Sequence, residues 1–156
     1  MKKSFLTFTI VLFSVCAYSQ PTNDEVNYIQ SIWGMEKREI VKKYMKLSEN
    51  ESTDFWAVYE KYEESRKELG RERINAITDY VQNVAVLTDA KAEELILKMI
   101  SNQTRFLELL NSSYYQMKAV ISQLKAMQFI QLENYLDTAL KLKIMDELPM
   151  AGEIKK

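Results

Sequence analysis

The sequence predicts an all-α protein of four helices, two of them long, and three observations carry that expectation. Glycine and proline are scarce, three and two in 156 residues, so there are few points at which a helix is forced to stop. Apolar residues recur at three- and four-residue steps along most of the chain, the repeat of one helix face. Where the pattern is interrupted, Ser48-Glu49-Asn50-Glu51 and Thr88-Asp89 have the composition of helix starts.

The beginning of the chain stands apart. MKKSFLTFTIVLFSVCAYSQ places two lysines before an apolar run and small residues at Ala17 and Ser19, the layout of a secretory signal peptide cleaved before Gln20. The run from Phe5 to Val15 is shorter than the roughly 20 apolar residues of a spanning helix, so no integral membrane span is expected. Residues 1–19 are read as signal peptide, 20–149 as a single helical domain, and 150–156 as a flexible C-terminal tail. Cys16 is a lipid-attachment candidate, disfavoured by the bulky Val15 before it.

Removal of residues 1–19 takes the only cysteine and leaves a chain with no histidine. Such a chain has no disulfide to stabilise it and lacks the usual ligands for soft metals. Loss of Lys2 and Lys3 leaves 19 basic against 22 acidic residues, a formal net charge of −3. Neither sign dominates a long block, which argues against nucleic acid as a partner.

The first predicted helix covers about 23–46. Thr22 and Glu25 have capping-box spacing, and Val26, Ile29, Trp33, Ile40, Tyr44 and Leu47 form its apolar stripe. Ser48 and Glu51 repeat that spacing and start the second helix, which runs to about 84 with Phe55, Tyr59, Tyr62, Leu69, Ile77, Val81 and Val84 on one face and Arg66 and Arg73 beside them. Gly70 falls mid-helix, where it marks a bend or a close crossing. Thr88 caps the third helix, whose stripe Ala92, Ile96, Met99, Gln103, Phe106, Leu110, Ser113, Met117, Val120 has the alternation of a coiled-coil seam. After a weaker break near Ile121-Ser122, Leu124, Gln128, Leu132, Tyr135, Leu136 and Leu140 outline a fourth helix that ends before Pro149.

No catalytic constellation is visible, and the expectation is a protein that is not an enzyme. Glu60, Glu63, Glu64 and Glu68 are assigned to a solvated charged face, and no histidine activates Ser112, Ser113 or Thr88. Glu133 and Asp137 stand at i,i+4, a spacing open to a hard cation, but with so few oxygen ligands a charged face is expected there too. No cofactor is expected. Phe55, Tyr59 and Tyr62 belong to the buried seam. Trp56 lies one step off it and with Val58 lines a second apolar face, which needs a second partner. Trp33 and Trp56 are the candidate protein-binding aromatics.

Three segments carry a family resemblance. Leu47-Ser48-Glu49-Asn50-Glu51, Leu87-Thr88-Asp89-Ala90-Lys91 and Leu124-Lys125-Ala126-Met127-Gln128 resemble degenerate copies of the Leu-Thr-x-x-Gln element that starts helices in the Spy/CpxP (LTXXQ-motif) family of periplasmic proteins. Only the second keeps Leu87-Thr88, with Lys91 in place of glutamine; the first has Ser48 and Glu51; the third keeps Leu124 and Gln128 without the threonine. FWAVYEKYE, LTDAKAEELI, QLENYLD and the ending Leu148-Pro149 are similar to small exported Bacteroidetes members of that family, labelled sensors of ECF-type sigma factors, over residues 33–149.

The resemblance implies an elongated antiparallel helical hairpin or cradle, a homodimer located in the periplasm. It implies an ATP-independent chaperone-like or envelope-stress-sensing protein that binds unfolded clients or a partner protein. A dedicated signalling or scaffold component, binding one regulatory partner in a sigma-factor or sensor-kinase pathway, is the alternative. Metal-sensing relatives use histidines, which this chain lacks.

Overall fold

A computed structural model describes residues 36–151, and these form helices joined by short corners, with no strand among the described residues. Helix α1 occupies residues 36–45, α2 Glu49–Asn83, α3 Asp89–Met117 and α4 Gln123–Glu147, with a 3₁₀ turn at Val84–Val86 between α2 and α3. The all-α expectation holds. At 1.5 Å per residue, α2 with 35 residues and α3 with 29 are about 53 and 44 Å long. The expected cap at Thr22 and Glu25, the stripe residues Val26 and Ile29, and Trp33 lie outside the described residues.

Local chemistry explains each corner. Helix α1 stops at Lys46, which takes φ 46°, the left-handed conformation that ends many helices and is costly for a residue with a Cβ. Lys125 of α4 stabilises the stop: its ammonium donates to the carbonyls of Met45 at 2.5 Å and Lys46 at 2.8 Å, acceptors that the helix end leaves open. At the start of α2, the Glu51 carboxylate accepts from the Ser48 N–H at 3.1 Å and the Ser48 hydroxyl at 2.8 Å. At the start of α3, Thr88 Oγ1 accepts from Lys91 N–H at 3.3 Å.

The third helix start differs from the expected Leu124…Gln128. Helix α4 begins at Gln123, with Ser122 as its N-cap accepting from Lys125 N–H at 3.2 Å, so Leu124 is already helical. The arrangement common to all three starts is an apolar residue, a hydroxyl cap and a polar residue three further on: Leu47-Ser48…Glu51, Leu87-Thr88…Lys91 and Ile121-Ser122…Lys125. Leu47 and Leu87 are half-buried and Ile121 is buried.

Contacts between helices give their directions. Lys37 meets Glu63 while Arg38 meets Glu60, so α1 and α2 are antiparallel. Asp79 meets Lys91 while Glu72 meets Arg105, so α2 and α3 are antiparallel as well. Tyr62 meets Glu133, Arg73 meets Asp137 and Tyr80 meets Pro149, so α2 and α4 run the same way. Asn102 donates to the Leu69 carbonyl at 2.9 Å, and Gly70, next to that carbonyl, has no Cβ to obstruct the approach.

The core gathers around Phe129, which is fully buried. Phe55, Tyr59 and Tyr62 of α2 meet it edge to face at 5.7, 6.1 and 5.4 Å between ring centroids. Val41 and Met45 of α1 and Leu110 and Met117 of α3 complete the cluster.

All four stripes depart from expectation. In α1 the buried residues are Lys37, Val41 and Met45, whereas Ile40 and Tyr44 are exposed, because Lys37 finds carboxylate partners inside. In α2 the seam holds from Phe55 to Leu69, then passes to Ala76 while Val81 is exposed. In α3, Phe106, Leu110, Ser113 and Met117 are buried as expected, but Leu95 and Asn102 are buried where Ile96 and Gln103 were expected. A strict heptad repeat drifts about 20° per heptad around a straight helix. The predicted line therefore starts on the outer side at Ile96 and reaches the core only by Phe106. In α4, Leu132 and Leu136 are buried as expected, but Leu124 and Tyr135 are exposed and Ala126 and Phe129 are buried instead, because the face that meets α2 lies to one side of the predicted line.

Phe129→Ala is expected to lower unfolding free energy by about 3–5 kcal/mol, read from urea denaturation followed by circular dichroism. Exposed Tyr135→Ala is expected to stay within about 0.5 kcal/mol of the parent. Equal effects at the two sites would contradict this core.

Candidate functional site

Two features stand out from the helical framework: a sealed cluster of charge and an uncharged outer face. The first is built by five side chains from three helices. Lys37 of α1, 1% exposed, places its ammonium 2.8 Å from Glu63 Oε2 and 2.7 Å from Glu133 Oε2. Arg66 grips Glu63 with two hydrogen bonds, at 2.9 and 2.7 Å. The Tyr62 hydroxyl donates to Glu133 Oε2 at 2.6 Å. Glu63 and Glu133 therefore do not belong to solvated faces: each is buried because cations from other turns or helices reach it. Asp137 likewise serves Arg73 at 2.8 Å and Lys141 at 2.7 Å. Among the described residues, no three His, Cys, Asp or Glu side chains converge as a metal cage.

The electrostatics follow the contacts. Burial pushes the Glu63 carboxyl up, but the Arg66 hydrogen bonds and the Lys37 charge outweigh it and hold the group below its ordinary value. Burial, reinforced by the charge of Glu133, raises the Tyr62 phenol well above its ordinary value and keeps it a donor. The phenol of Tyr59 is raised by burial and by the carboxylates of Glu63 and Glu133. Tyr59 Oη and Glu133 Oε1 have no hydrogen-bond partner among the described residues. Glu133 borders a cavity of about 20 Å³, which has room for one water molecule and none for a substrate.

The second feature lies on α3 and α4. Along α4, Leu124, Met127, Gln131, Asn134, Tyr135, Thr138, Leu142 and Met145 follow one another at helical steps, all exposed and none charged. The stripe spans about 31 Å, and its large members are strongly exposed, Tyr135 at 70% and Met145 at 69%. On α3, Ile96, Ile100 and Leu107 are each more than half exposed, and Leu107 borders the stripe directly. Between the two helices runs an open groove of about 630 Å³, lined by Leu107, Tyr114, Leu124, Met127 and Ile130 among others, with no charged residue in its walls. The α2–α3 grooves are different: Glu68, Arg71, Glu72, Asp79, Lys98 and Arg105 line them.

The expected site residues fall in several places. Trp56 is half-buried, 5.1 Å edge to face from both Phe55 and Tyr59, with the Arg38 guanidinium 4.1 Å above its ring. It sits on the α1–α2 side, away from the uncharged groove. Trp33 lies outside the described residues. Ser48, Glu51 and Thr88 act at helix starts, and Lys91 binds Asp79 and Glu94. Gln128 is half-buried in α4, and Leu124 is the one helix-start residue that also lines the groove. Sequence reasoning missed the groove because it counted Ile96 as core and left Ile100, Leu107, Met127, Leu142 and Met145 off its stripes. The signal was present in the second set of uncharged three- and four-residue steps in α4.

Lys37→Met is expected to destabilise by about 3–5 kcal/mol, since it leaves two buried carboxylates with one cation fewer. Adding Glu133→Gln is expected to recover part of that loss in urea titrations. Because the Glu63 pKa is depressed on folding, its contribution is fully present above the ordinary value of 4.5 and is lost as pH falls through the lower folded value. Stability of the parent is expected to drop below about pH 4.5 more steeply than that of Glu63→Gln; parallel curves would contradict the assignment.

Comparison of this chain with protein-family models, with curated proteins and with solved structures finds no match.

Proposed function

We propose that this chain is a periplasmic, ATP-independent chaperone-like or envelope-stress-sensing protein, a homodimer that binds unfolded or partner chains without catalysis. The observation that carries the reading is the uncharged face of α3 and α4, where large apolar side chains stand exposed along about 31 Å of helix. Large apolar side chains exposed along a face of that length are unusual on a protein with no partner, because they gain free energy whenever they are covered. Its width and the flexibility of its methionines suit varied apolar segments better than one fixed shape. The signal-peptide layout of residues 1–19 and the Spy/CpxP-like helix starts support export and the chaperone-like role.

Catalysis has little support in the side chains. The strongest carboxylate cluster is closed, neutralised by Lys37 and Arg66, and adjoins space for a single water. No helix among the described residues is long and apolar enough to cross a membrane.

A second reading, a dedicated component that recognises one regulatory partner, is favoured by the groove itself. Leu107, Tyr114, Leu124 and Met127 line an open groove between two helices, a surface on which a partner helix can lay its apolar side chains.

The test is light scattering by two unrelated unfolding proteins, titrated with purified protein in the absence of ATP. Suppression of both near one dimer per client is expected, with at least a fivefold weaker effect for the double variant Leu107→Glu, Met127→Glu. A folded protein that suppresses neither removes the general chaperone reading and leaves recognition of a single partner.

A further inference from the structure

The interior of the bundle is layered along its axis. An aromatic core around Phe129 fills the end near the α1–α2 corner, and a belt of charge follows it. Beyond the belt, α2, α3 and α4 border a second, half-open apolar space of about 270 Å³ between Ile77, Met99, Ile144, Met145 and Leu148. This space is distinct from the outer groove. Arg73, Gln103 and Lys141 form its end nearest the belt, and Leu148 stands at the other, close to where Tyr80 holds the Pro149 carbonyl at 2.6 Å.

The belt does not balance its charge. Among the described residues, Lys37, Arg66, Arg73 and Lys141 are paired with three carboxylates, Glu63, Glu133 and Asp137, and Lys141 also donates to Gln103 Oε1. Lys37 and Arg66 are matched by Glu63 and Glu133, so the surplus falls on Arg73 and Lys141, which share the one carboxylate of Asp137. Both also lie over the Phe106 ring, at 5.8 and 5.7 Å, a weaker form of compensation. An apolar cavity with excess positive charge at its inner end is complementary to a molecule that carries one negative charge on an alkyl chain.

We infer that this cavity binds a free medium-chain alkyl carboxylate, with its head on Arg73 and Lys141 and its chain between Met99, Ile77 and Met145. The carboxylate supplies the fourth negative charge of the belt. Lys141, about one third exposed, keeps contact with solvent and leaves a route for the head. If each carbon group occupies about 30 Å³, close to the share of a water molecule, the cavity accepts a chain of roughly nine carbons. Decanoate is therefore the probe of choice, with decanol and decyltrimethylammonium as neutral and cationic counterparts of equal length.

The experiment is titration calorimetry of the purified protein with each probe below its micelle concentration, with circular dichroism to confirm that every variant is folded. Decanoate is expected to bind at least tenfold more tightly than decanol, and decyltrimethylammonium to bind no better than decanol. Ile144→Trp, which fills the cavity, is expected to abolish decanoate binding. Lys141→Met is expected to weaken decanoate about tenfold while leaving decanol unchanged. Asp137→Asn is expected to tighten decanoate, because it frees two cations, whereas a purely structural role for Asp137 predicts loss of binding. Leu107→Glu, on the outer groove, is expected to leave decanoate binding intact, so this site and the outer groove stand or fall separately. Equal affinity for decanoate and decanol overturns the inference. Binding that survives Ile144→Trp also overturns it, by placing the ligand on the outer groove. Absence of binding to the folded protein overturns it as well.

Discussion

The Lys37 ammonium between Glu63 and Glu133 is the constraint on which the arrangement of helices rests. A buried lysine is tolerated only where its charge is met, and here it is met from two directions, by α2 and by α4. That requirement fixes the rotation of α1, since only one setting aims position 37 at both carboxylates. Val41 and Met45 then follow Lys37 into the core at four-residue steps, and Ile40 and Tyr44 are turned outward. Lys125 holds the far end of the same helix through the Met45 and Lys46 carbonyls. The described part of α1 is thereby held by polar contacts to α4 at Lys37 and at its C-terminal end, with apolar packing between them.

The same cluster divides the interior. On one side, the rings of Phe55, Tyr59 and Tyr62 pack edge to face against Phe129. On the other, α2 and α4 are joined by long side chains, Arg73 to Asp137 and Tyr80 to Pro149, and the layer between them is open enough to hold a cavity. Long polar bridges keep backbones apart where small apolar residues would let them close. A tight end and a loose end thus follow from which residue types occupy the α2–α4 interface.

Much of the fold was legible in the sequence because helix punctuation is local. Ser48 with Glu51, and Thr88, act within one turn of themselves, so their meaning does not depend on the rest of the protein. The pairing of Glu63 with Lys37, or of Glu133 with Tyr62, joins residues 26 and 71 apart. Nothing in the local spacing separates such a carboxylate from a solvated one, and Glu63 and Glu133 were assigned to the surface by residue type alone. The start of α4 shows an intermediate case. Leu124 and Gln128 preserve a motif's letters, whereas Ile121, Ser122 and Lys125 preserve its physical parts, an apolar anchor and a hydroxyl cap.

Helix α3 links the packing problem to the binding proposal. Its predicted seam keeps a heptad period from Ile96 to Met117, three full repeats, and on a straight helix such a line rotates by roughly 60° over that length. The core of the chain follows only the later part, through Phe106, Leu110 and Met117. The earlier part emerges on the outer side as Ile96 and continues there through Ile100 and Leu107, which borders the uncharged stripe of α4. A line of apolar residues that leaves the core remains unsatisfied until something outside the bundle covers it. The exposed face is therefore the continuation of the packing seam, and the same periodicity that builds the bundle also sets the direction in which a partner chain would extend it.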